Sequence, residues 1–405
     1  MSMVFCVLLL LVVFLSVKYG LLSILWMPPT DPDPHGQDEC RHGGSKLTKT
    51  KHSQSGIVRV IRLTDDGEFA DRCELTDVIY EIRNPKKAEL LVWYVHGWKH
   101  NANRDDSDLR EFRSLIKELD EQQRQQGEEG RHVVGVYVGW DGAVGPALLQ
   151  HLTFWRRKRA ADRISQSAAL TKIISSAKYA RNQVGKEITS RDLTIMIGHS
   201  FGARILYTAT SQVLLDEVQR QHPGYKKGSY GVILGPADLI LLLNPAFEAS
   251  MFTAMHSIRR PDSKWWEGID PRQQPLLLTI ATENDWATGI AFPVGQRLDF
   301  ATRDRQILTL GNYEDYVTHS LKAKATSDRP STNSAFWFDN FEAAGLRLQL
   351  EEGSRHPGAP FIVARTTKNV IDGHNGIWGK DLRNWIILFL RELQDRGRVP
   401  SEAGH

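Results

Sequence analysis

The chain has 405 residues, enough for one large domain or two ordinary ones with substantial hydrophobic cores. Its 51 lysines and arginines nearly balance its 48 aspartates and glutamates, so the charge gives no support for nucleic-acid binding. The phosphate-loop pattern and the dinucleotide fingerprint are both missing from the sequence, so nucleotide chemistry also lacks support. The basic run at 156–159, "RRKR", lies in a predicted helix and is interpreted as a solvated face of that helix.

The first 27 residues differ in composition from the rest of the chain. Met3 to Val17 is almost wholly apolar, and a second apolar run, Leu21 to Met27, follows a short interruption. Together the two runs exceed the roughly 20 residues that span a bilayer, so residues 1–27 are predicted to be a membrane anchor. A cleaved signal segment is the alternative, which would make the protein secreted or periplasmic, although "MSM" carries no basic residue. A buried core helix is a third interpretation.

Residues 28–55 are predicted to form a polar linker, because "PPTDPDPHGQDE" and its surroundings cannot build a hydrophobic core. The remaining residues, 56–405, are predicted to form one folded domain. The three cysteines leave two interpretations open. Cys6 lies inside the apolar segment, whereas Cys40 and Cys73 either pair in an oxidising compartment or remain free thiols.

From residue 56 onward, predicted strands and helices alternate along the chain. Strands are predicted at 56–63, 90–95, 132–138, 193–197, 239–243, 276–281 and 361–364. Helices are predicted at 71–83, 109–125, 157–182, directly after residue 200, and at 381–393. This alternation predicts an α/β fold whose mostly parallel sheet is covered by helices on both faces. In such sheets ligands bind beyond the carboxyl ends of the strands, so the residues found there are the candidates for function.

The strand that ends at Val95 runs into the sequence "HGWKHN". A His-Gly turn after an early strand is the place from which a backbone N–H can stabilise a developing oxyanion. The N–H of Trp98 is therefore one predicted oxyanion donor. His96 and His100 have the spacing of a zinc-binding pair, but that spacing needs a helix and these residues follow a strand, so no metal is predicted.

Residues 193–206, "LTIMIGHSFGARIL", place a serine between two glycines at the corner between a strand and a helix. Gly198, Ser200 and Gly202 match the G-x-S-x-G nucleophile elbow. Glycines suit this motif because the serine takes a strained backbone conformation in which neighbouring side chains would clash. Ser200 is the predicted nucleophile, and the N–H of Phe201 is the second predicted oxyanion donor. A plain turn between a strand and a helix is the alternative.

The connection from Pro245 to Gln274 is unusually apolar and aromatic for a loop. Its large apolar side chains are Phe247, Met251, Phe252, Met255, Trp265 and Trp266. Because exposed apolar patches usually mark binding surfaces, the connection is predicted to be either a lid over an acyl chain or a cap on the core. Phe247 and Met251 are candidate substrate-binding residues, and His96 and Trp140, each at or just after the end of an earlier strand, are two more.

Two strands offer a carboxylate that could orient the catalytic base. Asp285 follows the strand 276–281 in "TENDWAT" and is the predicted acid. Glu283, in the same segment, and Glu248, after the strand 239–243, are its competitors. The alternative for Asp285 is an ordinary helix N-cap.

Two histidines are candidates for the base. His374 lies in the glycine-flanked loop "DGHNG" between the last strand and the closing helix, and it is the predicted base. The chain order Ser, Asp, His then fits the order of the triad in α/β-hydrolases. His319, in "YVTHSL", falls in a long excursion and is interpreted as a lid residue or as a neighbour of the site.

The chain resembles the α/β-hydrolase superfamily in the motifs "HGWKHNA", "GHSFGA", "TENDWAT" and "DGHNGIW", which occur in this order across residues 56–396. The pair "VHGWKHNA" and "VYVGWDG" is similar to uncharacterised bacterial and fungal esterase- or lipase-like hydrolases with a hydrophobic N-terminus. The departure from the superfamily pattern is the segment 289–358, which is longer than the superfamily core requires. The resemblance therefore does not define the substrate pocket, and this insertion is a candidate for a lid over it.

The resemblance implies an α/β-hydrolase fold with a triad of Ser200, Asp285 and His374 that hydrolyses an ester through an acyl-enzyme, with no cofactor. The amides of Trp98 and Phe201 would hold the oxyanion. The expected substrate is a small-molecule or lipid ester. A peptidase or thioesterase using the same triad is the enzymatic alternative, and a membrane-tethered binding module that keeps the fold without turnover is the other.

Overall fold

The computed structural model describes residues 55–83, 88–127, 130–142, 154–181, 192–221, 232–267, 269–285, 287–291, 303–324, 334–356 and 358–396. The predicted anchor at 1–27 and the linker up to residue 54 lie outside the described residues. Within the described ranges, no helix is both long enough and apolar enough to cross a bilayer.

A ten-stranded sheet forms the centre of the domain. Its strands are β1 Ile57–Leu63, β2 Glu89–Val95, β3 His132–Trp140, β4 Leu193–His199, β5 Leu239–Leu243, β6 Leu277–Thr282, β7 His319–Ala323, β8 Asn340–Ala343, β9 Leu346–Leu350 and β10 Phe361–Thr366. The spatial order is β1-β3-β2-β4-β5-β6-β10-β7-β9-β8. All neighbours from β1 to β7 in this order pair in parallel, whereas β9 is antiparallel to both β7 and β8. The predicted α/β class with a mostly parallel sheet is confirmed.

Helices cover both faces of this sheet. They are α1 Arg72–Arg83, α2 Ser107–Gln125, α3 Phe154–Ser165, α4 Ala168–Arg181, α5 Phe201–Gln221, α6 Thr253–Arg259, α7 Asp304–Ile307 and α8 Lys380–Arg396. The chain moves in opposite directions along the sheet in the β2-to-β3 and β3-to-β4 connections. Right-handed crossovers therefore place α2 on one face and α3 and α4 on the other. Helix α8 packs beside α2, and α5 packs beside α3 and α4.

The central strands are buried along their whole length. Every residue of β2, β4 and β5 is buried, including the continuous apolar runs "LLVWYV" in β2 and "LILLL" in β5. A parallel strand that is covered by helices on both faces is expected to be apolar throughout rather than alternating. These buried strands therefore hold the residues at their carboxyl ends in well-defined positions.

Two features differ from the sequence-based expectations. The predicted helix 157–182 is two helices, α3 and α4, because Ser167 begins a new helix by accepting the N–H of Leu170 on its Oγ at 3.1 Å. The insertion 289–358 supplies β7, β8 and β9, which extend the sheet and were not predicted.

The structure distinguishes between the two interpretations of the aromatic connection between residues 245 and 274. The side chains of Phe247, Phe252, Met255 and Trp266 are almost fully buried in the core, and Met251 packs partly buried against it. The structure therefore favours the cap on the core over an exposed lid in this connection.

Cys73, in the first turn of α1, is disulfide-bonded. Of the two interpretations left open by the sequence, the free thiol is therefore wrong for Cys73. The other two cysteines, Cys6 and Cys40, precede the described residues.

Candidate active site

The candidate site lies where the strand order reverses direction. From β2 the chain continues to β3 on one side, and from β3 it returns to β4 on the other side of β2. The loops that leave the carboxyl ends of β2 and β4 therefore diverge to opposite faces and open a crevice between them, which is the usual ligand site of an open α/β sheet. Trp98 follows β2 at this crevice, and Ser200 follows β4.

Ser200 sits on a strained turn between β4 and α5. Its φ is +55°, a left-handed conformation that costs free energy for any residue other than glycine. Neighbouring backbone approaches so closely that a Cβ on Gly202 would lie 2.1 Å from the carbonyl oxygen of Val95. A Cβ on Gly198 would lie 2.7 Å from the Cα of Ala203. Both glycines of the elbow are thus required sterically, as the sequence motif predicts.

Three side chains from separate loops form a continuous chain of hydrogen bonds. Ser200 Oγ and His374 Nε2 are 2.7 Å apart, and His374 Nδ1 and Asp285 Oδ2 are 2.6 Å apart. Because a carboxylate can only accept, His374 Nδ1 donates to Asp285, which leaves Nε2 to accept the serine proton. The structure brings together the three residues that the sequence suggests as nucleophile, base and acid.

Asp285 is buried and well supplied with hydrogen bonds. Its Oδ1 accepts the N–H groups of Ala287 at 2.9 Å and Thr288 at 3.1 Å. Burial acts to raise the pKa of Asp285, but the hydrogen bonds from His374 and Thr288 outweigh it and hold that pKa below its ordinary value. Asp285 is therefore an anion beside the imidazole, which suits it to stabilise an imidazolium.

The predicted oxyanion donors flank Ser200. Phe201 is the first residue of α5, so its N–H lies among the amides at a helix start that have no partner within the helix and carry the positive end of the helix dipole. On the other side, the loop after β2 lies directly against the elbow, since a Cβ on Gly97 would lie 2.8 Å from Ser200 Cβ. Trp98 is the next residue of that loop.

His96 and Trp140 brace this loop instead of facing a ligand. His96 is fully buried, its Nδ1 donates to the carbonyl of Gly97 at 2.8 Å, and its Nε2 accepts the N–H of Trp140 at 2.9 Å. The Trp140 indole in turn donates to the His96 carbonyl at 2.9 Å. Burial lowers the pKa of His96 to about 4, so the ring is neutral and links the ends of β2 and β3.

The competing acids and the competing base occupy other surroundings. Glu248 pairs with Lys158 and Arg204, each at 2.5 Å, and Glu283 is exposed. His319 is fully buried at the start of β7, with its Nδ1 2.9 Å from Thr318 Oγ1 and its Nε2 3.4 Å from Asp339.

The two apolar candidates for substrate binding are not equivalent. Phe247 is fully buried and stacks on Tyr207 with ring centroids 4.6 Å apart. Met251 is partly buried, and its carbonyl accepts the Tyr207 hydroxyl at 3.1 Å. Their contacts place both in the packing between α5 and the segment after β5.

A separate aromatic cluster lies beside the predicted oxyanion donors. The ring centroid of Phe154, at the start of α3, is 5.6 Å from that of Trp98 and 5.2 Å from that of Phe201. Trp98 and Phe154 are partly exposed, whereas Phe201 is buried. Sequence reasoning missed Phe154 because it lies far from every motif in the chain.

Two residues at the site were not selected from the sequence, His199 and Asn244. His199 Nε2 lies 3.0 Å from the carbonyl oxygen of His374, and Asn244 Nδ2 lies 2.9 Å from the same oxygen. Each stands at the carboxyl end of a predicted strand, which is the position from which they could have been found.

Among the residues that the structure describes, no group of three or more His, Cys, Asp or Glu side chains is arranged to hold a metal ion. Comparison with known proteins gives no match, either among family models or among curated protein sequences.

Proposed function

We propose that this chain is a serine hydrolase of the α/β-hydrolase fold that cleaves a carboxylic ester through an acyl-enzyme on Ser200. The observation that carries the proposal is the hydrogen-bonded chain from Asp285 through His374 to Ser200, together with the strained backbone at Ser200. A serine hydroxyl is a weak nucleophile until an adjacent base accepts its proton, and this arrangement provides that base.

The reaction follows from the positions of the groups. His374 Nε2 accepts the Ser200 proton as Oγ attacks the acyl carbonyl, and Asp285 stabilises the imidazolium that forms. The amides of Trp98 and Phe201 are the proposed donors to the tetrahedral oxyanion. The imidazolium then returns its proton to the leaving alcohol, and a water molecule repeats the sequence on the acyl-enzyme.

The aromatic cluster of Trp98, Phe154 and Phe201 supports a substrate with an apolar acyl group. Two of these rings belong to the residues whose amides would bind the carbonyl oxygen, and the third, that of Phe154, packs against both. An apolar pocket with a few convergent polar groups is the usual form of a small-molecule site. A lipid or other hydrophobic ester fits this surrounding better than a charged substrate does.

Labelling of the full-length chain with a fluorophosphonate probe tests the proposal. We expect covalent modification at Ser200 and none in Ser200→Ala. Hydrolysis rates for p-nitrophenyl esters of increasing chain length then report the acyl preference, and matched thioester and anilide substrates separate an esterase from a thioesterase or peptidase. A folded wild-type chain that the probe leaves unlabelled would contradict the proposal and indicate a binding module instead.

We further propose that residues 1–27 anchor the enzyme in a membrane, on the strength of their apolar composition. The disulfide at Cys73 favours an oxidising compartment for the folded domain, since disulfides rarely persist in the cytosol.

A further inference from the structure

The backbone of the loop that carries His374 is held by buried groups that take no part in the reaction itself. The carbonyl oxygen of His374 accepts two hydrogen bonds, one from His199 Nε2 at 3.0 Å and one from Asn244 Nδ2 at 2.9 Å. We infer that His199 and Asn244 are positioning residues that fix the His374 backbone so that its imidazole stays in line with Ser200 Oγ. This inference rests on the proposed function.

The loop needs such support because it has little regular structure. His374 lies between the end of β10 and a short 3-10 turn, and the preceding Gly373 has a φ of +68°. The hydrogen bonds that join the His374 imidazole to Asp285 and Ser200 set the rotation of the ring. The distance between the imidazole and Ser200, however, depends on the position of the His374 backbone. A displacement of about 1 Å at a catalytic group can cost about 100-fold in rate.

The Asn244 side chain is itself held in one orientation by hydrogen bonds. Its Oδ1 accepts the N–H of Thr282 at 3.0 Å, so its Nδ2 must face the His374 loop, where it also approaches the Gly373 carbonyl at 3.3 Å. Its φ is +41°, a left-handed conformation in which asparagine is better tolerated than most residues. This side chain therefore ties the ends of β5 and β6 to the loop.

His199 acts from the opposite side as a neutral donor. Because its partner is a carbonyl oxygen, its Nε2 must carry the proton. Burial, together with the neighbouring His374, whose ring centroid is 5.0 Å away, lowers the pKa of His199 to about 3. His199 therefore remains neutral when His374 becomes an imidazolium, and it does not compete for the proton of Ser200.

A pair of substitutions at His199 tests this role in the full-length chain. His199→Leu removes the donor, whereas His199→Gln keeps an amide N–H that can reach the same carbonyl. We expect His199→Leu to slow fluorophosphonate labelling by about 10-fold to 100-fold, with the fraction of sites that eventually label unchanged. We expect His199→Gln to recover most of that rate.

The matched control is His256→Leu, because His256 is a half-buried histidine that stacks on Tyr316 and is not bonded to the His374 loop. That variant should label at the wild-type rate. A role for His199 in stability alone predicts the opposite pattern, namely fewer sites that label at an unchanged rate.

Asn244→Gly gives an independent test, because glycine tolerates the left-handed backbone and removes only the amide side chain. We expect a slower labelling rate at full stoichiometry. Combining it with His199→Leu should cost more than the product of the two single effects, since one remaining donor still restrains the shared carbonyl in part and the double variant has none. Equal rates for His199→Leu and His199→Gln, or a purely multiplicative double variant, would overturn the inference. Failure of wild type to label would instead refute the proposed function.

Discussion

Two histidines are candidate bases in the sequence, but they occupy opposite chemical settings in the fold. His374 reaches Ser200 and Asp285, whereas His319 is sealed in the core, where burial lowers its pKa to about 4. We expect His374→Ala to reduce ester hydrolysis by about 10⁴-fold or more, because triad members act as a unit. His319→Ala should lower the free energy of unfolding while the rate per folded molecule changes little. Rates normalised to folded protein decide between them, and a reversed ranking would move the base assignment to His319.

Asp285 is a buried carboxylate and Glu248 a partly buried one, and neutralising them should have different effects. Asp285→Asn removes the acceptor that orients the His374 ring, so we expect a loss of about 10⁴-fold in kcat. Glu248→Gln leaves Arg204 and Lys158 beside a neutral partner, and breaking such an ion pair costs on the order of 3 kcal/mol of stability. Activity and urea unfolding measured on both variants check this crossed pattern. Glu283→Gln is the exposed control and should change neither quantity.

The loop after β2 packs tightly against the nucleophile elbow. A Cβ on Gly97 would lie 2.8 Å from Ser200 Cβ and 2.9 Å from His199 Nδ1. We expect Gly97→Ala to separate the proposed oxyanion donor from the nucleophile and to lower kcat by about 100-fold.

The matched control for Gly97→Ala is Gly379→Ala. Gly379 has a negative φ, and its added Cβ would meet no atom closer than 3.5 Å, which is an ordinary contact. It should leave activity unchanged. Equal activity in both variants would show that the loop and the elbow can separate without cost.

The elements that the sequence predicts well are those with strong local signals. Buried strands such as β2 and β5 are continuous apolar runs, and the elbow carries its glycines because the backbone allows nothing larger. Strands β7 to β9, at one end of the sheet, were missed because they are short, and β8 has no fully buried residue to mark it. Their pairing depends on contacts between distant segments, which a local pattern does not record.

The same distinction holds within the site. Ser200, Asp285 and His374 follow predicted strands and belong to motifs, so the sequence could place them together. The hydrogen bonds between His96 and Trp140 could not be predicted, because they exist only once β2 and β3 are adjacent. The anchoring of the His374 carbonyl by His199 and Asn244 depends on tertiary geometry in the same way.

At the scale of the whole molecule, buried neutral histidines should make the fold sensitive to acid. Burial lowers the pKa of His96 and His319 to about 4 and that of His199 to about 3, against an ordinary value of 6.5. Between pH 6.5 and about pH 4, the unfolded chain therefore binds more protons than the folded chain. Stability is therefore fully present above pH 6.5 and is lost as pH falls toward about 4.

Urea unfolding at about pH 7.5 and about pH 5 measures this loss, which we expect to be on the order of 1 to 3 kcal/mol per histidine. His319→Gln should flatten the pH dependence. His100→Gln should do the reverse, because burial is outweighed by the hydrogen bond to Asp106 and the charges of Asp106 and Asp108 together, which raise the pKa of His100. Its stabilisation is present below pH 6.5, so the deficit of that variant should grow as pH falls. Parallel behaviour of the two variants would contradict this account.

Residues 1–27 make the location of the protein testable. If residues 1–27 are an anchor, full-length protein should fractionate with membranes and resist extraction by carbonate or high salt. Deleting residues 1–30 should release a chain that still reacts with fluorophosphonate, because Ser200, Asp285 and His374 all lie far beyond the deletion. Lys18 is the only charged residue between Met1 and Met27, so the sequence does not set the orientation of the anchor.

The disulfide at Cys73 provides a second measurement of location. A domain in an oxidising compartment should show no reaction of Cys73 with a maleimide until the protein is reduced, because thiols persist in the cytosol and disulfides do not. An N-terminus that begins near residue 28 in the mature protein would establish a cleaved signal instead of an anchor. The enzyme would then be secreted or periplasmic, and its access to lipid esters would depend on the apolar surface beside Trp98 and Phe154 alone.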